Sequence, residues 1–328
     1  MKQGSPLLRA LYTVVVVVAG LLLVLQAGCR QAGSSGSAGD LRGTLTVSGA
    51  WALYPMAVRW GEEFKTLHPG VEFDISAGGA GKGMADALSG AVDIGMVSRD
   101  IHEEEIKQGA FWVTVVSDAV VPTINAHNPY LALIQSRGID RPGFQAIWIG
   151  TARTWGEVLG DASITDGIHA FTRSDACGAA ETWAAYLGGY KQEDLQGIAV
   201  YGDPGVAEAV SRDPLGIGFN NLNFAYDAST RMPVTGLAIA PIDVNGNGVL
   251  EAEENFYADK SALMAAIADG RYPSPPARGL NLVTKGRPTG LALAFIRWVL
   301  TDGQAFAEET GYIPLTQGQA QAELKKLE

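Results

Sequence analysis

A two-lobed α/β fold with a cleft between the lobes is what this 328-residue sequence predicts, and three observations predict it. Strand-like and helix-like patterns alternate from residue 44 onward. A long β-rich run, "WVTVVSDAVVPTINAHNP", then carries the chain from one region into another. A second α/β alternation follows, and a later β-rich segment brings the chain back.

The first alternation opens with "TLTVSGA", apolar and polar residues in turn over a strand's length before a glycine. In "WALYPMAVRWGEEFKTLHPG", Met56, Trp60, Phe64 and Leu67 recur at spacings of four, four and three, one face of a helix. Pro55 suits its first turn, and Pro69 with Gly70 ends it. "VEFDISA" is a second strand, followed by the glycine-rich "GGAGKG", a short helix carrying Met84, Ala87 and Leu88, and a third strand, "AVDIGMVS". Such alternation gives a sheet with helices packed on its faces. In the second region, helices are expected at "AAETWAAYL" and "PGVAEAVSR" and a strand at "GIGFNN". "TGLAIAPI" reads as the return crossing, and "GLNLVTKG", a helix at "LALAFIRWVLT" and a C-terminal helix complete the first lobe. The expected division is residues 44–122 with 236–328 for lobe I and 123–235 for lobe II. Two crossings between lobes leave a cleft, a preferred place for a small ligand.

Composition narrows the function. Apolar residues make up 47% and charged residues 18%, a globular balance, and the formal charge is −11. That charge argues against a nucleic-acid partner, which needs a basic footprint. Any anion must be held by local groups, because the field of the whole molecule repels it. Residues 1–29 have the order of a signal: Lys2 and Arg9, the apolar run "ALYTVVVVVAGLLLVL", then "QAGC". Ala27 and Gly28 fit a bacterial lipoprotein signal, with Gln26 where an aliphatic residue is usual and Cys29 the candidate for lipidation. An uncleaved membrane anchor or a plain secretory signal are the alternatives; all three place the remainder outside the cytoplasm. "RQAGSSGSAGDLRG", residues 30–43, reads as a flexible tether.

Three segments share one logic, a strand, a glycine-containing turn and a helix start: "SGAWALYP", "SAGGAGKG" and "RSDACGAAET". A helix start exposes unpaired N–H groups and the positive end of the dipole, so it holds an anion without net charge. Singly, each is an ordinary βα turn; their ordered recurrence points to one shared site. A nucleotide P-loop is excluded because Gly83 follows Lys82, and a dinucleotide fingerprint because Met84 takes its third glycine's place. A zinc-protease motif would need histidine where Ile106 stands, which leaves the glutamates of "IHEEEIK" as a solvated helix face. Cys177 has two readings: a thiolate activated by the helix start and Arg173, with His169 as partner in a hydrolase, or a small residue filling a tight turn.

Residues 48–100, from "SGAWALYP" through "SAGGAGKG" to "DIGMVSRD", resemble the opening of the substrate-binding proteins of phosphate ABC importers. "DGRYPSPPARGLNLVTKG" and "GQAFAEETGYIPL" resemble their ending. The resemblance runs in order over residues 44 to 316. It implies a periplasmic-binding-protein-like, type II fold that closes on phosphate or a related oxyanion, and a permease in the membrane as partner, with no chemical change. The implied anion-binding positions are Ala52, Leu53, Ala80, Gly81, Ser98, Arg99, Arg173, Cys177, Gly178 and Ala179. Several depart from the family, which has hydroxyl residues in the first turn, at Ala80 and in the third turn. Ser98, Arg99, Arg173 and the backbone amides remain. Each lost hydrogen bond to a charged ligand is worth about 1.5–3 kcal/mol, and two forked guanidiniums could replace much of it. Lys82 would add a charge. Asp100 or Asp175 could accept a proton from a monoprotonated anion and so reject sulfate; the alternative is that each pairs with its neighbouring arginine.

A second, independent pattern is "DVNGNGVLEAEE". Asp243, Asn245 and Asn247 occupy positions one, three and five, Gly248 six, the Val249 carbonyl seven, Leu250 eight and Glu254 twelve, the pattern of a calcium loop. Pro241 bars a regular helix running into it, so the expectation is a single structural Ca²⁺ loop. The alternative is an Asx/Gly-rich surface loop, or, for the chain as a whole, a calcium-stabilised adhesion or scaffold module.

Overall fold

The computed structural model describes residues 41–328. The signal segment, Cys29 and the tether up to residue 40 lie outside the described residues. Arg42 and Gly43, read as the tether's end, already pair with Gly70 and Val71.

The first alternation folds as β1 (Arg42–Gly49), β2 (Gly70–Ala77) and β3 (Ile94–Val97), with β1 parallel to both of the others. Parallel neighbours need crossovers, supplied by helices Tyr54–Leu67 and Ala80–Ser89. Met56, Trp60 and Phe64 are buried as their spacing demands, whereas Leu67 is exposed, because the stripe leaves the core at the helix's last residue. Trp60 donates its indole N–H to the Gly303 carbonyl at 2.8 Å, and Phe64 meets Phe295 and Trp298 edge-on. Burying such a ring contributes about 4–6 kcal/mol at the usual area coefficient.

β4 (Ala110–Asn125) is the outward crossing. Its Val113, Val115 and Val116 enter the first core, and its Ala119, Val120, Val121 and Ile124 enter a second. That second core gathers Phe144, Trp148, Trp155, Trp183 and Phe219. Around it lie β5 (Ile139–Asp140), β6 (His169–Arg173), β7 (Ile198–Val200) and β8 (Gly216–Asn221), with β9 (Leu237–Ile239) and β10 (Ile242–Asp243) following. Helices Gly178–Gly188 and Gly202–Arg212 stand where "AAETWAAYL" and "PGVAEAVSR" predict them.

The return differs from expectation. "TGLAIAPI" forms β9, antiparallel to the far end of β4 at Thr123–Asn125, and Ile239, Ala240, Ile242, Phe256 and Tyr257 all join the second core. β11 (Ala277–Lys285) is the strand that returns, pairing with β4 from Ala119 back to Ala110 and then with β3. Residues 236–277, the calcium-type loop included, therefore pack with lobe II. Periodicity could not distinguish two apolar strands of similar length; partner choice did. Among the described residues the main sheet runs β2-β1-β3-β11-β4-β8-β6-β7 through both lobes, with β9 and β12 (Ile313–Pro314) also on β4. The register shifts between Leu280 and Asn281, close to the crossing, where an irregularity lets paired strands bend.

Candidate functional site: the seam between the lobes

Two of the three turns and Ser98 meet at the seam. After β2, Gly79 adopts φ +94°, which opens the helix start at Ala80, and the amide of Gly81 donates across the seam to the Ala176 carbonyl at 3.1 Å. After β6, Cys177 is the N-cap of the helix Gly178–Gly188, its Sγ accepting from the Ala180 amide at 3.4 Å. Gly178 lies so close to buried Ser98 that a Cβ there would stand 2.1 Å from the Ser98 carbonyl oxygen and 2.4 Å from its Oγ. Ala80 and Ala179 are buried beside these contacts.

The first turn takes another part. Tyr312 donates its hydroxyl to the Ala52 carbonyl at 2.7 Å, and the Leu53 amide donates to Ala50, so this turn is bound into lobe I. Its contribution to the seam is Trp51, which stacks edge-on to Tyr201 and Phe224 and lies against Gly202 at the start of another second-lobe helix.

Arg173 is buried and Arg99 nearly so, and both are engaged by carboxylates. Arg99 makes a forked pair with Glu105, at 2.6 and 2.9 Å, and its Nε lies 3.0 Å from Glu181 Oε2 in the opposite lobe. Burial works against its charge, yet the Glu105 bond and the two carboxylate fields raise its pKa; Glu105 is correspondingly lowered, Arg99 outweighing its own burial. Glu105 is thus a seam residue and not part of a solvated face. His102 Nε2 adds a contact 2.7 Å from Glu181 Oε1. Arg173 is held by Asp175 through Nε and Nη2, at 2.8 and 2.6 Å, and by Asp203 through Nη1 at 2.7 Å. Burial opposes its charge too, and Asp203 with Asp175 more than restores it. Asp203 also accepts from the backbone and side-chain nitrogens of Asn221. Each guanidinium expected to reach an anion thus also stands inside a carboxylate pair, which for Arg173 is the alternative reading of Asp175. Lys82 likewise pairs with Asp86 on its own helix.

Burial pushes the Cys177 thiol up to about 12, more than neighbouring Arg173 pulls it down. His169 sits at the far end of β6, its Nδ1 2.7 Å from Asp213. Cys177 is a filler and a cap, and the thiol-nucleophile reading fails on both residues.

Sequence reading missed Arg278. It faces Asp118 in the β11–β4 register, with Nε 3.1 Å from Oδ1, and reaches Thr182 at 2.9 Å and Asn221. One side chain so ties both crossing strands to the helix of the third turn. Burial outweighs this pairing at Asp118, whose carboxyl is pushed up to about 6. The sequence offered only an arginine just ahead of the strand-like "GLNLVTKG", a segment not read as a crossing.

Comparison with known proteins then fits this geometry. A model of the PBP superfamily domain matches residues 34–303. The chain belongs to the PBP superfamily. A PBP-type relative, the phosphate-binding protein PstS of Bacillus subtilis strain 168, is 28% identical over 317 residues, covering 92% of this chain and 94% of its own. PstS of Methanocaldococcus jannaschii is 23% identical and covers 90% of each chain. A phosphate ABC transporter substrate-binding protein from Clostridium perfringens, solved with bound phosphate, superposes with a TM-score of 0.68 at 22% identity, over 84% of this chain and all of that one. An ABC-type phosphate transport receptor from Vibrio cholerae gives 0.60 at 17%, over 83% of this chain and all of its own. These two structural likenesses establish the two-lobed PBP fold. Among the described residues no helix is long and apolar enough to cross a membrane.

Proposed function

We propose that this chain is the extracytoplasmic substrate-binding component of an ABC importer and that it carries inorganic phosphate. The observation that supports it best is the meeting of two turns across the lobes, the Gly81 amide of the Ala80 helix start on the Ala176 carbonyl and Gly178 of the third turn against Ser98. The relatives named for phosphate binding supply the ligand class.

The chemistry follows from what the seam groups do now. In the closed form, the Gly81 amide is spent on the Ala176 carbonyl, and Ser98 is pressed against Gly178. Lobe opening frees both helix starts, and an anion entering between them takes those amides and the Ser98 hydroxyl before the lobes close on it. Arg173 and Arg99 are pre-oriented by their carboxylates and supply fixed positive charge beside that point. With Asp175, Asp203, Glu105 and Glu181 close by, the surroundings are net negative, which penalises a fully deprotonated anion. A protonated phosphate can donate its proton to a carboxylate, and Asp175, buried at the third turn, is better placed for this than exposed Asp100. Sulfate, with no proton at neutral pH, meets only repulsion there. The ligand passes to a permease unchanged. Cys29, acylated, would tether the protein to the membrane; loss of palmitate labelling in Cys29→Ala checks that part.

Titration calorimetry with phosphate, arsenate, sulfate and molybdate tests the reading. Saturable heat is expected with phosphate and arsenate and none with sulfate. Absence of heat with all four refutes it.

A further inference from the structure

The loop Asp243–Glu254 is not used by the seam, and the geometry points to it as a Ca²⁺ site on the second lobe. Among the described residues no three His, Cys, Asp or Glu side chains cluster as a metal site, so a cation here must be held by mixed oxygen donors. A calcium loop does so, with carboxylates, amide oxygens and a peptide carbonyl at alternate positions.

The loop is already wound as such a site requires. Asp243, at position one, takes the Gly246 amide on Oδ1 at 2.7 Å and the Gly248 amide on Oδ2 at 2.8 Å. The Asn245 side-chain oxygen accepts from the Asn247 amide at 3.0 Å, and that of Asn247 from the Val249 amide at 2.9 Å, so the odd-numbered side chains curl back along one ring. Gly246 and Gly248 have φ of +73° and +76°, and the sharp bend depends on the second of these. At position eight the Leu250 amide donates to the Ser136 carbonyl, and its side chain packs on the second core, which closes the ring on the protein side. β10 pairs with β5 and anchors the loop's entry.

Glu254, at position twelve, is what points to a ligand. It is 9% exposed, and its Oε1 accepts from the amides of Val244 and Asn245 at the opposite end of the loop, so the carboxylate lies within the ring. Its Oε2 is buried and has no hydrogen-bond partner. A buried carboxylate oxygen with no partner is costly to leave so, and a cation bound by Glu254 through both oxygens removes that cost. Hard oxygen donors and a closing glutamate select Ca²⁺ over Mg²⁺, which demands tighter octahedral geometry. Glu251, at position nine, takes the amide nitrogens of Asn245 and Asn247 and so adds negative charge at the rim. No helix flanks the loop directly, the next beginning at Lys260, so the site clamps β10 and the loop to the lobe and has no paired hand to move.

The test uses the full chain in detergent, freed of divalent ions with EGTA and titrated with CaCl₂ in phosphate-free buffer. One Ca²⁺ per chain is expected, with a thermal midpoint several degrees higher when saturated. Glu254→Gln, nearly isosteric, should weaken binding by about tenfold or more, and Asn247→Ala, at an exposed position, by a smaller factor; MgCl₂ should compete poorly. The proposal is overturned if the wild-type chain takes up no calcium at about 10 mM, roughly tenfold above the weakest extracellular sites of this class. It is equally overturned by several weak sites per chain that neither variant alters. Phosphate heat should persist after EGTA, which separates this outcome from that of the transport reading.

Discussion

Glu181 holds Arg99 across the seam, Oε2 to Nε at 3.0 Å, from the first turn of the helix whose start forms the third seam turn. This pair is one of several contacts that join the lobes there, beside Gly81 on Ala176 and His102 on the same Glu181. Arg99 is nearly buried while Glu181 is about one-third exposed, so solvent screening limits the pair to about 1 kcal/mol. Glu181→Gln should shift the ligand-free protein toward the open form by roughly fivefold, on that energy scale. Small-angle scattering should show a larger radius of gyration that phosphate restores. An unchanged radius in the variant would remove Glu181 from the closing contacts.

Gly178→Ala separates closure from folding. The new methyl meets Ser98, in the other lobe, at 2.1 Å, while the backbone at 178 is ordinary helix start that alanine accepts. Phosphate affinity should fall by about a hundredfold, a clash of a few kcal/mol, with the thermal midpoint nearly unchanged. Wild-type affinity in this variant would place the anion away from the Gly178–Ser98 contact.

Cys177→Ser should keep or improve anion binding. A serine Oγ caps the Ala180 amide at least as well as the present Sγ, for a gain of about 0.5–1 kcal/mol in helix stability. A midpoint one or two degrees higher and unaltered or tighter phosphate binding are expected. Weaker binding would mean that the sulfur itself serves the ligand.

Stability should rise with alkaline pH through Lys260. This side chain is buried beside Asn223, and burial, then Arg231, pull its pKa from 10.5 down to about 8. Between those values the unfolded chain holds the proton that the folded one has released, so raising pH favours folding. The gain is complete above about 10.5 and lost as pH falls through about 8, at most about 3 kcal/mol. Urea midpoints at pH 7.5, 9 and 10 should climb for the wild type and stay flatter for Lys260→Met. Parallel slopes would show that Lys260 does not titrate in that window.

Features that depend on near neighbours along the chain were readable before folding. The alternating runs set β1 to β3, the spacing of Met56, Trp60 and Phe64 set the first helix, and the glycines set the turns that open the helix starts at Ala80 and Gly178. The calcium-type loop was legible for the same reason, since its donors and its glycine lie within twelve consecutive residues. Other features rest on contacts between elements far apart in the chain. Which apolar strand returned to lobe I depended on whether β9 or β11 found β3, and the partners of Arg99, Arg173 and Arg278 were carboxylates and amides from distant elements. A guanidinium in a sequence shows its charge and reach, but burial makes it take the nearest carboxylate, and folding alone brings that carboxylate near.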